Sequence, residues 1–162
     1  RGLIAMSGER LIETFYAGNP FVESLPVARR VAQLTSREDY VFIAGSEPQI
    51  LYYAKRRSPT RFVIAYPLML PTPVAAAYQH KVIDDLRQRP PKVIVYARSP
   101  LSWMQSSRTP AILMPYLYHL LSPAGPYRPV GGYLRQDGKG WWQEPITASQ
   151  LPLAQLLGLV RR

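Results

Sequence analysis

Residues 39–48 read Asp39-Tyr40-Val41-Phe42-Ile43-Ala44-Gly45-Ser46-Glu47-Pro48. Tyr40 to Ala44 is an unbroken apolar run with β-branched and aromatic side chains. Such a run describes a strand covered on both faces, the pattern of a parallel sheet. Gly45 stops it. Ser46 then stands as an N-cap, Pro48 suits a first helical turn, and Gln49 completes an S-x-x-Q capping box. Strand, tight turn and helix start, in that order, put Gly45, Ser46 and Glu47 at the carboxyl-end crevice where open α/β sheets take their ligands.

Two further apolar runs lie downstream, Thr60–Tyr66 and Lys92–Ala97. The first is preceded by a helix over Glu47 to about Lys55. The second follows a longer helix opened by Thr72-Pro73 and carried to about Gln88, in which Val74, Tyr78, Val82 and Leu86 recur every fourth residue. Repeated strand–helix alternation calls for right-handed βαβ units. The expected fold class is therefore α/β: a Rossmann-like three-layer sandwich with a mostly parallel central sheet. Its central strands are Val41–Ala44, Arg61–Tyr66 and Val93–Ala97.

The flanks are less regular. Ser7–Ala17 has the apolar spacing of an amphipathic helix, broken by Gly18-Asn19-Pro20. A second helix begins at Glu23 or Ser24 and gathers Val27, Ala28, Val31, Ala32 and Leu34 on one face. Arg98–Arg108 reads as a polar loop around Trp103, and Pro115–Leu121 as the firm part of a helix that Pro115 would otherwise interrupt. Tyr127–Leu134, the turn signal Asp137-Gly138 and Lys139–Glu144 predict a C-terminal hairpin on which Trp141 and Trp142 face opposite ways. The leucines of Ala148–Val160 suggest a last helix.

Length and composition fit one soluble α/β domain spanning residues 1–162. No apolar run approaches the roughly 20 residues of a membrane-spanning helix. The absence of cysteine excludes disulfides, thiolate zinc sites and cysteine nucleophiles. Twenty Lys and Arg against ten Asp and Glu leave a net charge of +10, which points to an anionic neighbour or to a solvated basic surface. The densest cluster is Lys55, Arg56, Arg57 and Arg61, which suits phosphate or lipid headgroups and equally suits a helix end with a solvated loop.

Motifs for chemistry are sparse. G-x-G-x-x-G and the Walker loop are absent, and Glu47 would repel phosphate, so an ordinary capped turn describes Gly45-Ser46-Glu47 better than a dinucleotide site. His80 and His119 are the only histidines. Asp84, four residues after His80, matches a helix-surface contact, and no metal site is assigned. No G-x-S-x-G elbow supports a serine triad. The aromatics are not interleaved with the basic cluster as a nucleic-acid stacking platform requires, so no nucleic acid is expected as a partner. No catalytic residue and no cofactor are assigned.

Taken together, Tyr16-Ala-Gly-Asn-Pro-Phe-Val-Glu-Ser24, the V-A-R-R-V-A of residues 27–32, Asp39-Tyr-Val-Phe-Ile-Ala-Gly45 and the run from Glu47 to Phe62 form a pattern. It resembles the soluble C-terminal extracytoplasmic region of bacterial polytopic glycosyltransferases of the dolichyl-phosphate-mannose–protein mannosyltransferase type. The likeness is concentrated in residues 16–68, fades through the third strand and is loose beyond about Arg98. It implies a parent enzyme that transfers a sugar from a polyprenyl-phosphate donor, with its catalytic acids in a loop near its membrane helices that has no counterpart in this chain. The chain would then be a non-catalytic accessory domain on the periplasmic side of the inner membrane. Its partners would be the membrane-spanning part of the same polypeptide and a nearby anionic lipid or polyprenyl-phosphate sugar. Two other classes stand beside this one: a free-standing Rossmann-like enzyme binding a nucleotide or nucleotide-sugar at the Gly45 edge, and a basic nucleic-acid-binding module.

Overall fold

The computed structural model describes residues 21–136 and 139–162; the helix expected at Ser7–Ala17 and the turn at Asp137-Gly138 lie outside the described residues. In chain order the elements are α1 (Phe21–Leu34), β1 (Val41–Ala44), α2 (Gln49–Ala54), α3 (Tyr66–Met69), α4 (Pro73–Gln88), β2 (Val93–Ala97), α5 (Pro100–Trp103), α6 (Leu113–Leu121), β3 (Tyr127–Gln136), β4 (Lys139–Gln143), a 3₁₀ turn (Leu151–Leu153) and β5 (Leu156–Arg161). Thr72 caps α4 by accepting from the Ala75 N–H at 3.3 Å, as the Thr-Pro pair predicts. Pro115 falls in the first turn of α6, where no intrahelical N–H is needed, so the helix continues through it.

Among the described residues the strands form one five-stranded sheet in the order β1-β2-β5-β3-β4. Only β1 and β2 run parallel, with Val41 opposite Val93 and Ala44 opposite Tyr96. The pairs β2–β5, β5–β3 and β3–β4 are antiparallel. This corrects the expectation of a Rossmann-like, mostly parallel sandwich: the fold is a mixed α/β fold around a mostly antiparallel sheet. The cause is β5. Ala148–Val160 was expected to be helical, but only Leu151–Leu153 makes a 3₁₀ turn, after which the chain enters the middle of the sheet as a strand. There Leu156 and Leu159 are almost wholly buried, on opposite faces. A leucine-rich run buried on both sides fits a helix or a central strand equally well until its neighbours are known.

The second correction concerns Arg61–Tyr66, which is not a strand. Val41 N–H donates to Arg57 O at 3.0 Å, and Tyr40 and Arg57 form an isolated parallel bridge. Among the described residues the outer edge of β1 is thus engaged at its start, and the chain leaves it at buried Pro59. Residues 60–65 follow an irregular path, with Phe62 against Tyr78 at 4.9 Å between ring centroids. Pro67 then enters α3, whose first turn tolerates it.

Helices cover both faces of the sheet. Val41 and Ile43 alternate onto the side of α1 and α2, joining Val27, Val31 and Ile50. Phe42 and Ala44 point to the side of α4 and α6, joining Val82, Leu86 and Leu117. The two-sided apolar runs therefore report burial on both faces, not strand direction. At roughly 1.5–3 kcal/mol for each fully buried large aliphatic side chain, these two clusters are the main stabilising term. The expected hairpin is present, with Gly132–Gln136 paired to Lys139–Gln143. Trp141 is 41% exposed, whereas Trp142 lies flat across Gly131 and Gly158, where an added Cβ would come within 2.5 Å and 2.7 Å of the indole. Trp142 donates to Glu144 at 2.9 Å, and Glu144 pairs with Arg30 of α1 at 2.5 Å, joining the hairpin to the helical layer.

Candidate functional site

Gly45, Ser46 and Glu47 lie where β1 ends, beside the end of its parallel neighbour β2, as the crevice reading predicts for a parallel pair. Their side chains face inward rather than toward a ligand. Ser46 does not cap α2: the capping position belongs to Pro48, without a side-chain hydrogen bond. The Ser46 hydroxyl instead accepts the Ala65 N–H at 2.9 Å, tying the irregular 60–65 segment to the strand end. Gln49, the expected partner in the capping box, reaches Ser24 of α1 at 2.8 Å. Gly45 has a φ of +156°, and a Cβ there would sit against the Glu47 carboxylate and 2.7 Å from the Ala97 Cβ. Only glycine fits this close approach.

Glu47 is 2% exposed and accepts the hydroxyl of Ser102, itself 1% exposed on α5. Its second oxygen, Oε2, is buried with no hydrogen-bond partner among the described residues. Burial raises its pKa, opposed by the Ser102 hydrogen bond. Next to Ser102, Trp103 anchors α5 through its indole N–H to Ala97 O at 2.8 Å. The crevice is thus filled by the chain's own acid, hydroxyl and indole, and its chemistry is that of a packed hydrogen-bonded joint between β1 and α5.

The four basic residues of the sequence cluster separate. Arg56 turns inward and donates to Thr35 Oγ1 at 2.7 Å, Thr35 O at 2.6 Å, Ala32 O at 2.9 Å and Ala54 O at 2.8 Å. Those carbonyls end α1 and α2, so a cation there satisfies orphan acceptors of both helices. Arg57 lies over the Tyr40 ring at 4.4 Å and donates to Glu38 O at 2.7 Å. Arg61 lies over Phe62 at 5.1 Å. Lys55 closes α2 in a left-handed conformation with φ of 54°. Lys55, Arg57 and Arg61 are exposed; Arg56 is not available to an external anion.

On the opposite face, a groove of about 380 Å³ opens beside α6, floored by Leu157 and Leu159 of β5 and bordered by Tyr96, Arg98, Tyr118 and Leu121. Its residues come from β2, the loop after it, α6, β3, the 3₁₀ turn and β5, elements widely separated in sequence. No local pattern announces it, because it exists only once β5 lies beside β2. Asp84 pairs with Arg87 at 3.7 Å, and no group of three or more potential metal ligands occurs among the described residues. Comparison with protein-family models, curated proteins and solved structures finds no match to this chain.

Proposed function

We propose that this chain is a non-catalytic accessory domain of a membrane glycosyltransferase that uses a polyprenyl-phosphate sugar donor, held on the extracytoplasmic side of the bacterial inner membrane. The reading rests on the resemblance of residues 16–68, and one observation supports a scaffolding role for them. Four polar side chains in the described part of that stretch are bound within the chain. Arg56 holds the ends of α1 and α2, Glu47 accepts Ser102, Gln49 reaches Ser24, and Asp39 accepts the Ser36 N–H at 2.7 Å. Such residues define a shape.

A nucleotide at the Gly45 edge fits poorly. The turn that would approach a pyrophosphate is closed by Ala97 and by the Glu47 carboxylate, which would repel it. The test pairs two assays. The purified chain, given polyprenyl-phosphate sugars or nucleotide sugars, is expected to show no transfer. In the complete polypeptide as encoded, Arg56→Ala is expected to reduce the amount of folded enzyme while leaving KM for the donor unchanged. Saturable sugar transfer by the chain alone, or a several-fold change in donor KM, would overturn the accessory role.

A further inference from the structure

The groove beside α6 combines an apolar floor with a concentrated polar end. Leu157 lies directly opposite Tyr96, and Leu159 opposite Ile94, in the β2–β5 register. Leu157 and Leu159 therefore share one face of the sheet, the face packed by α4 and α6. α6 borders this strip with Tyr118 and Leu121, three residues apart and so on one side of the helix. At about 380 Å³ the groove falls within the usual range for small-molecule sites.

The polar end has a defined composition. Tyr96, Arg98 and Tyr118 line the groove together, and burial pushes the Tyr96 phenol up, with Tyr118 raising it further and the Arg98 charge opposing the rise. Arg98 is exposed, and no ion pair among the described residues engages its guanidinium. Each phenol has an O–H that can donate. The site thus offers a planar forked cation and a phenol donor above leucines, with no acidic side chain among its lining residues. A guanidinium in that setting matches a carboxylate or phosphate in geometry and charge. The leucines match a hydrocarbon tail.

We propose that this groove binds a small amphipathic anion, with its carboxylate or phosphate on Arg98 and the Tyr96–Tyr118 pair and its apolar tail along Leu157 and Leu159. The proposal does not depend on the glycosyltransferase reading; it requires only the groove and its charge. Decanoate and decyl phosphate, used below their micellar concentrations, are the probes. Decanol supplies the tail without the charge, and inorganic phosphate the charge without the tail. Trp103 lies 5.9 Å from Tyr96 between ring centroids, so fluorescence reports occupancy alongside titration calorimetry.

Both decyl anions are expected to bind at least tenfold more tightly than decanol or inorganic phosphate. Arg98→Ala should erase the preference over decanol. Leu121→Trp should fill the groove and abolish binding of both anions while circular dichroism stays unchanged. Phosphatidylglycerol vesicles separate the sources of the anion. Vesicle binding lost in Leu121→Trp identifies a bilayer lipid as the ligand, and vesicle binding unchanged identifies a free amphiphile. Failure of the decyl anions to bind the folded chain would overturn the proposal. So would decanol binding as tightly as they do, or a preference that survives Arg98→Ala.

Discussion

Arg56 grips Thr35 at two points: its Nε donates to the hydroxyl at 2.7 Å and its Nη2 to the carbonyl at 2.6 Å. Thr35 in turn donates to Val31 O at 2.6 Å, closing the last turn of α1. That helix has no basic residue in its own last turn. The cation that complements its dipole comes from the far end of α2.

Arg56→Lys is therefore expected to cost about 2 kcal/mol, because an ammonium cannot reproduce the planar fork. Arg56→Ala should cost more. Urea unfolding measures both, and a midpoint for Arg56→Lys indistinguishable from the parent would remove the latch from the account.

Gln79 is 1% exposed on α4 and uses both ends of its amide. Nε2 donates to Leu68 O at 2.7 Å and Pro110 O at 2.9 Å, while Oε1 accepts Leu113 N–H at 2.7 Å and Ile112 N–H at 3.1 Å. The start of α6 has no side-chain cap of its own, so Gln79 supplies one from another helix. Gln79→Leu keeps the volume and leaves buried donors and acceptors unpaired, which should cost about 3 kcal/mol. The amides of residues 112 and 113 should also lose hydrogen-exchange protection before those of β2. Uniform loss across the chain would argue against a local cap.

Glu47 makes a prediction in pH. Burial raises its folded pKa above the unfolded value, so the folded state binds the proton more tightly. Its contribution to stability is then complete below the unfolded pKa, near 4.3, and is lost as pH rises through the raised folded value. Glu47→Gln keeps an acceptor for Ser102 and cannot ionise. The stability of the variant relative to the parent should therefore increase from pH 4 to pH 8. A difference that is flat, or that moves the other way, would mean that Glu47 is not ionising in a dry site.

The accessory-domain reading places Lys55, Arg57 and Arg61 near lipid phosphates, where each basic residue at the surface contributes roughly 1 kcal/mol. Binding to anionic liposomes is expected at low salt and lost near about 0.5 M salt, where screening is stronger. Replacing those three residues with Ser should weaken binding at least tenfold more than replacing Arg87, Arg128 and Lys139, which are also exposed. Equal losses would assign the effect to net charge alone.

Local signals in the chain were accurate where the determinant was local. The Val41–Ala44 and Val93–Ala97 runs are buried strands, Thr72-Pro73 starts α4, and the 127–143 segment makes a hairpin. The site residues were legible by place and not by role. Gly45, Ser46 and Glu47 do lie at the end of a parallel strand pair, but the partners of Ser46 and Glu47, Ala65 and Ser102, are 19 and 55 residues away. Arg56 reads as surface charge because most of its acceptors are backbone carbonyls, which carry no mark in a sequence.

Composition and local pattern alone show which segments are apolar enough to be buried, that α4 opens at Thr72-Pro73, and that the chain carries a large positive charge. The direction of the sheet and the location of the groove depend on how distant segments assemble. Strand order is a long-range choice. Leu156–Arg161 lies between β2 and β3, and this placement makes the sheet mostly antiparallel and leaves Leu157 and Leu159 lining the groove beside α6. Hydrophobic burial is non-directional, so a run of leucines records how strongly it must be covered and not which neighbours cover it.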